Sequence, residues 1–201
     1  LEFSSNTYFL EVMKRVVNQG KSSNLFIDSE LGLAEWTAAI KKFGFGSPLG
    51  LDLPGEKGGN VPDTAYYNKI YGKHRWAYSG IRSLAIGQGE VLVTPLQVAN
   101  LAAIIANRGF YIKPHLVKAI EVNGTTENLP YEKINTGSHD EYYDAIYEGM
   151  ARAVRKTAPR AIINDIEILG KTGTAENGVK DESLDHSVFM AFAPRENPTI
   201  A

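Results

Sequence analysis

Residues 171–174 read Lys-Thr-Gly-Thr and lie at the end of an apolar run that predicts a β-strand. Side chains alternate along a strand, so Lys171 and Gly173 should share one face and the two threonines the other. Because Gly173 has no side chain, an extended ligand can approach the strand closely and pair with it. The hydroxyls of Thr172 and Thr174 and the lysine charge suit a carboxylate, and the Thr174 amide can donate to an oxyanion. The alternative interpretation is a strand end with a solvated lysine and a glycine turn.

A second candidate is Ser4-Ser5-Asn6, which stands just before a predicted helix. A Ser-x-Asn spacing places a hydroxyl and an amide on one side of a tight turn. Serine and asparagine are also ordinary helix caps, and Ser-x-Asn recurs at Ser22-Ser23-Asn24. The tripeptide alone therefore does not separate a catalytic role from a capping role.

Composition excludes several other kinds of site. The chain has no cysteine, which rules out disulfides, thiolate zinc sites and cysteine nucleophiles. The histidines are widely spaced and lack a second ligand one helical turn away, so we expect neither a metal nor a cofactor; they are His74, His115, His139 and His186. With 21 basic and 23 acidic residues, the net charge of −2 gives no reason to expect a nucleic-acid partner.

The elements that position these residues can be predicted from apolar spacing and end signals. Helices are expected after Ser4-Ser5-Asn6 up to Gly20, from Ser29 to before Gly44, at Asp63–Tyr71, from Thr94-Pro95 to Asn107, and from a Ser138/Glu141 capping box through about Arg155. Residues 44–59 are expected to form a loop with at most a short strand at Leu49–Leu53. Strands are expected at Tyr111–Ile112, Leu116–Val122, Ile166–Thr172 and Ser187–Phe192, with a turn at Asn177-Gly178. Helices dominate the first two-thirds and antiparallel strands gather at the end, which predicts an α+β fold.

The two motifs together resemble two of the three signatures of the active-site serine penicillin-binding proteins and β-lactamases. Further segments resemble the class B penicillin-binding proteins, and the penicillin-binding protein 2 group in particular. The similar segments are Ser4–Phe9, Gly50–Glu56, Ala85–Gly89, Thr94–Ala99, Lys171–Ala175 and His186–Pro194. The resemblance covers nearly the whole chain and implies a transpeptidase fold with a helical cluster and an antiparallel sheet.

The activity that this resemblance implies is peptidoglycan D,D-transpeptidation, in which a serine is acylated by a stem peptide and terminal D-alanine leaves. β-Lactam antibiotics mimic the D-alanyl-D-alanine end and acylate the same serine. By matching position, Ser4 would relay a proton to the leaving nitrogen, assisted by the Lys171 ammonium, and Asn6 would hold a substrate amide. Thr172 and Thr174 would bind the terminal carboxylate, and the Thr174 amide would contribute to the oxyanion hole.

The resemblance also implies partners and a location. The partners would be peptidoglycan stem peptides, β-lactams and the cell-wall glycan polymerase of the elongation complex. The domain would lie in the periplasm, and the parent protein would be anchored to the inner membrane by an N-terminal helix outside these 201 residues.

One feature of the family pattern is missing from this sequence. The family's nucleophile lies in a Ser-x-x-Lys motif, and no lysine here has a serine three residues before it. The sequence starts with Leu1-Glu2-Phe3 directly before polar residues and stops at Ile200-Ala201 within an apolar pattern. We therefore expect residues 1–201 to be part of one transpeptidase domain that is incomplete on both sides. We also expect that this part is not acylated by itself.

Three alternatives remain open at the level of sequence. A β-lactamase or D,D-carboxypeptidase of the same fold would hydrolyse rather than crosslink, although the long loop 44–59 and Gly87-Gln88-Gly89 favour the transpeptidase. A β-lactam sensor would bind covalently and signal without turnover. A relative that natively lacks the nucleophile would act as a binding or scaffold module.

Overall fold

The computed structural model describes residues 1–176 and 185–201 and confirms the α+β class. The α-helices are α1 (Asn6–Val17), α2 (Leu25–Lys42), α3 (Thr64–Tyr71), α4 (Tyr78–Ile81), α5 (Pro95–Ala106) and α6 (Tyr143–Thr157). The strands are β1 (Phe110–Ile112), β2 (Ala119–Val122), β3 (Thr125–Asn128), β4 (Lys133–Asn135), β5 (Leu169–Ala175) and β6 (His186–Phe192). Short 3-10 helices occupy Arg82–Ile86, Asp140–Tyr142 and Pro159–Ala161.

The strands form antiparallel pairs, with β1 on β4, β2 on β3 and β5 on β6. The β5–β6 pair carries the Lys-Thr-Gly-Thr motif and runs in register from Leu169 opposite Phe192 to Ala175 opposite His186. β5 begins three residues later than the predicted strand from Ile166, and the strand predicted from Leu116 begins at Ala119. The turn predicted at Asn177-Gly178 lies outside the described residues.

Local end signals located some helices well and misplaced others. The Thr94 hydroxyl and the Gln97 side chain form a reciprocal capping box, which starts α5 as predicted. α2 begins at Leu25 rather than Ser29, because the Asn24 side chain accepts hydrogen bonds from two amides of the first turn.

The predicted Ser138/Glu141 capping box is wrong. The Ser138 hydroxyl lies 2.7 Å from the Thr136 hydroxyl and 2.5 Å from the Tyr143 hydroxyl, so it serves a side-chain network and not a helix end. The chain first makes a 3-10 turn at Asp140–Tyr142, and α6 then starts at Tyr143.

Residues 44–59 form a loop as predicted, and the described structure has no strand at Leu49–Leu53, where at most a short one was expected. The amides of Leu49, Gly50 and Leu51 instead donate to the carboxylate of Glu56 at 2.6–2.8 Å. A loop that folds onto its own acidic side chain satisfies these amides without a partner strand.

Two apolar clusters support the two halves of the molecule. The first joins α1–α4 and the following 3-10 turn; its buried members are Met13, Val17, Leu33, Tyr67, Trp76, Ile81 and Leu84. The second joins α5, α6, β5 and β6; its buried members are Ile105, Tyr143, Tyr147, Met150, Ala151, Leu169 and Phe192. The Ser-x-Asn motif precedes a helix of the first cluster, and the Lys-Thr-Gly-Thr motif lies on a strand of the second. Within residues 1–176 and 185–201, no helix is both long and apolar enough to cross a membrane.

Candidate active site

The structure brings the two sequence motifs together. The Lys171 Nζ atom donates a hydrogen bond to the Ser4 hydroxyl at 2.9 Å, although 167 positions separate the residues in sequence. The same ammonium donates to the Thr172 carbonyl at 2.5 Å. A lysine and a serine hydroxyl in direct contact can pass a proton between the lysine and a third group.

Ser4 occupies a backbone conformation that non-glycine residues adopt uncommonly. Its φ angle is +48°, in the left-handed region, where strained residues are found preferentially at functional sites. The neighbouring Ser5, and not Ser4, caps α1, because its hydroxyl accepts the Tyr8 amide at 3.3 Å. The Ser4 hydroxyl therefore remains directed at Lys171.

The second Ser-x-Asn sequence has only the capping role. The Asn24 side chain accepts the amides of Phe26 and Ile27 at the start of α2, and the Ser22 hydroxyl accepts the Asn24 amide. The two copies of the tripeptide thus differ in their contacts, because the copy at residues 4–6 meets Lys171 and the copy at residues 22–24 caps a helix.

Asn6 is the first residue of α1 and is exposed, two positions after Ser4. Its side-chain amide is therefore open to solvent, and it lies close to Ser4 along the chain. Its predicted role in holding a substrate amide remains a prediction.

The glycine of the Lys-Thr-Gly-Thr motif is not required by this chain's own packing. A Cβ atom added at Gly173 would meet only the Val188 side chain, at 3.9 Å, whereas one added at Gly170 would meet the Phe189 ring at 2.7 Å. Gly170 is therefore needed for contact between the strands. The space at Gly173 is free for a ligand, as its predicted role requires.

The two threonines of the motif differ in their contacts. The Thr172 hydroxyl donates to the Thr157 hydroxyl of α6 at 3.2 Å. Thr174 is exposed and lies opposite Ser187 in the register. Their predicted roles in carboxylate binding remain predictions.

Burial of the Lys171 side chain lowers the pKa of its ammonium below the usual value for lysine, because desolvation disfavours the charged form. A lysine with a lowered pKa exchanges its proton more readily near neutral pH. Across the part of the chain that the structure describes, no group of three histidine and acidic side chains could hold a metal ion.

Sequence reasoning missed the residues that hold the segment before Ser4. The Lys156 ammonium lies 3.5 Å from the centroid of the Phe3 ring and 3.9 Å from the Glu2 carboxylate, and Arg152 lies 4.0 Å from the same carboxylate. The sequence showed only that Arg152 and Lys156 are four residues apart and therefore share one face of a predicted helix. That spacing does not identify a partner.

Comparison with known proteins agrees with this geometry. A family model described as the penicillin binding protein transpeptidase domain matches residues 1–201. The peptidoglycan D,D-transpeptidase MrdA of Haemophilus influenzae is 35% identical and is matched over 98% of this chain and 31% of its own length. The chain thus spans about a third of the length of this curated relative.

Solved structures extend the similarity to the fold. Penicillin-binding protein 2B from Streptococcus pneumoniae strain R6 superposes with a TM-score of 0.74 at 26% identity, over 100% of this chain and 33% of that one. A structure described as "Structural coordination of polymerization and crosslinking by a peptidoglycan synthase complex" has a TM-score of 0.71 at 28% identity, over 96% of this chain and 30% of that one. With a family model covering every residue and the two motifs in contact, the chain belongs to the penicillin-binding protein transpeptidase domain family.

Proposed function

We propose that this chain is part of the catalytic domain of a peptidoglycan D,D-transpeptidase that crosslinks stem peptides and is acylated by β-lactams. The observation that carries the proposal is the 2.9 Å hydrogen bond from Lys171 to Ser4. It joins the two motifs of the family that this sequence contains, and the match to the family model supports the assignment.

In the proposed reaction, a serine in a Ser-x-x-Lys motif outside these residues attacks the penultimate D-alanine carbonyl of the donor peptide. A C–O bond forms, the C–N bond to the terminal D-alanine breaks, and that nitrogen needs a proton to leave as an amine. Ser4 delivers this proton from its hydroxyl and the Lys171 ammonium replaces it. The attacking serine gives its own proton to the lysine of its motif, and this proton restores the Lys171 ammonium. In the second half, the amine of a neighbouring stem peptide attacks the acyl-enzyme, loses a proton and restores the free serine.

The remaining residues are proposed to hold the donor peptide. The peptide backbone lies along β5 at Gly173, where an added Cβ atom would make only an ordinary contact of 3.9 Å with Val188. Asn6 holds a peptide amide, while Thr172 and Thr174 hold the terminal carboxylate together with the Lys171 charge. The Thr174 amide contributes to the oxyanion hole.

The proposed partners follow from the same assignment. A similar solved structure is described in terms of coordinated polymerization and crosslinking in a peptidoglycan synthase complex, which supports a glycan polymerase as partner of the full-length protein. We further propose that the domain acts in the periplasm, tethered by a membrane helix outside these residues.

Covalent labelling by a fluorescent penicillin tests the proposal. We expect the full-length protein to form a stable adduct and to crosslink stem peptides, and the isolated 201-residue chain to form none. Lys171→Met should reduce labelling at least a hundredfold, since the proton relay is lost, whereas Lys118→Met, at an exposed position before β2, should label normally.

Three outcomes would contradict the proposal. Absence of an adduct on the full-length protein would favour a scaffold module, and rapid hydrolysis of the adduct with β-lactam turnover would favour a β-lactamase or carboxypeptidase. A stable adduct without any crosslinking would favour a β-lactam sensor.

A further inference from the structure

The last turn of α6 contacts both halves of the candidate active site through two consecutive residues. Lys156 places its ammonium over the ring of Phe3, the residue before Ser4. Thr157 accepts a hydrogen bond from Thr172, the residue after Lys171. Neither α6 residue belongs to a family motif named above, yet each touches a direct neighbour of the Ser4–Lys171 pair.

The segment before Ser4 lies along a single face of α6. Leu1 packs directly over Gly149, where an added Cβ atom would lie 2.9–3.3 Å from three of its side-chain atoms. Glu2 lies within 4.0 Å of both Arg152 and Lys156. Positions 149, 152 and 156 are three and four residues apart and therefore share one side of a helix.

The strand that carries Lys171 is also fixed to α6. Met150 and Ala151 of α6 pack with Leu169, the first residue of β5, in one buried cluster. The Thr157 hydroxyl, which accepts from Thr172, itself donates to the Ala153 carbonyl one turn earlier. This chain of hydrogen bonds ties the motif strand to the helix backbone.

We propose that Lys156 and Thr157 are positioning residues that hold Ser4 and Lys171 at proton-transfer distance. Ser4 is held by way of Phe3 and Glu2, and Lys171 is held by way of Thr172. The two halves come from different apolar clusters, and α6 is the element that touches both of them at the site. The inference rests on the proposed transpeptidase function, because its effect is on the acylation step.

Rapid-mixing kinetics with a fluorescent penicillin on the full-length protein test the proposal by separating the noncovalent Kd from the acylation rate constant. Lys156→Met should lower the rate constant about tenfold, and Thr157→Val about fivefold, because small displacements of reacting groups are costly. For Lys156→Met, Kd should change less than about threefold, since Lys156 contacts no residue proposed to bind the ligand. Thr157→Val also frees Thr172, a proposed carboxylate contact, so the acylation rate constant alone decides for that variant. Lys156→Arg and Thr157→Ser should recover most of the rate, as they keep the cation and the hydroxyl.

Two further variants separate positioning from stability. Arg155→Met is the matched control, because Arg155 lies on the same turn but pairs with Glu167, and it should acylate at the normal rate. Gly149→Ala should favour the helix, since alanine loses less backbone entropy than glycine, yet slow acylation, because its methyl group displaces Leu1.

The possible failures are distinguishable. If the wild-type protein forms no adduct, the transpeptidase proposal fails. If it forms one and the variants at 156 and 157 acylate at the wild-type rate, or lose rate only in proportion to a lowered Tm, the positioning role is wrong.

Discussion

At the scale of single residues, the site depends on the chemical state of Lys171 and the backbone of Ser4. Burial lowers the pKa of the Lys171 ammonium, and the φ angle of +48° turns Ser4 away from regular helix geometry. The two residues meet at 2.9 Å. A desolvated lysine beside a strained serine is typical of a catalytic site rather than a structural ion pair.

The pH dependence of acylation should report the titration of Lys171. The proposed relay needs the ammonium form, so the rate should fall as pH rises through the lysine pKa. Since that pKa is lowered in the folded protein, the fall should occur below about pH 10.4, the ordinary lysine value. Lys171→Arg keeps its charge at all accessible pH values, so its residual activity should persist to higher pH.

Acylation rate constants measured from about pH 6 to 11 would check this. An alkaline limb at the same pH in the wild type and in Lys171→Arg would assign the limb to another group. That result would show that Lys171 does not take part in the proton relay.

At the scale of elements, one buried side chain links the start of α5 to the long glycine-rich loop 44–59. The Gln97 amide nitrogen, which has two hydrogens to donate, lies 2.8–3.1 Å from the carbonyl oxygens of Gly44, Ser47 and Gly58, and the side-chain oxygen accepts the Thr94 amide. The side chain is fully buried. Gln97 therefore sets the path of a loop that lacks regular secondary structure.

Gln97→Met should loosen this loop while nearly preserving side-chain volume. Buried carbonyls left without a donor cost about 1–3 kcal/mol each, so opening of the loop should become easier by about 2 kcal/mol. Amide hydrogen exchange at Leu49, Gly50 and Leu51 should then be about thirtyfold faster. Gln19→Met is the control, because Gln19 is exposed; equal protection in the two variants would show that Gln97 does not hold the loop.

At the scale of the whole molecule, acidic side chains hold loops in place by accepting backbone amides, and Asp52 does so across 64 and 65 positions. Asp28 accepts the amides of Gly20 and Lys21, and this lowers its pKa despite burial. Asp52 accepts those of Val117 and Leu116, which lowers its pKa in the same way. For Glu56, burial opposes the shift, but the three amides it accepts outweigh burial and its pKa is also lowered.

These lowered pKa values predict a specific loss of stability in acid. Each carboxyl binds its proton more weakly in the folded state than in the unfolded state, so its contribution is present above the unfolded pKa of about 4. That contribution disappears as pH falls through the lower folded pKa. Asp28→Asn should therefore lower Tm most above about pH 5, and the difference from the wild type should shrink below about pH 4.

Thermal unfolding of the two proteins from pH 2.5 to 7 would measure this difference, with Glu127→Gln on the exposed strand β3 as control. A difference between the wild type and Asp28→Asn that stays constant across the range would contradict the linkage.

The sequence by itself determined the α+β class, the start of α5, the strand at the Lys-Thr-Gly-Thr motif and the family. These features depend on neighbouring residues: apolar spacing, a Thr94–Gln97 capping box and short segments that resemble the family. It misplaced the starts of α2 and α6, because the end signals at Ser29 and Ser138 compete with Asn24 and with a side-chain network.

The resemblance to the family favoured Ser4 over Ser22, but only the tertiary structure decided that Ser4 contacts Lys171 and that α6 touches a neighbour of each. A hydrogen bond across 167 positions forms only when two apolar clusters pack on shared elements, and no local pattern encodes that packing. The partners of Lys156 and Thr157 were invisible in sequence for the same reason: a helix face shows which residues lie together, but the chain it contacts is set by the fold.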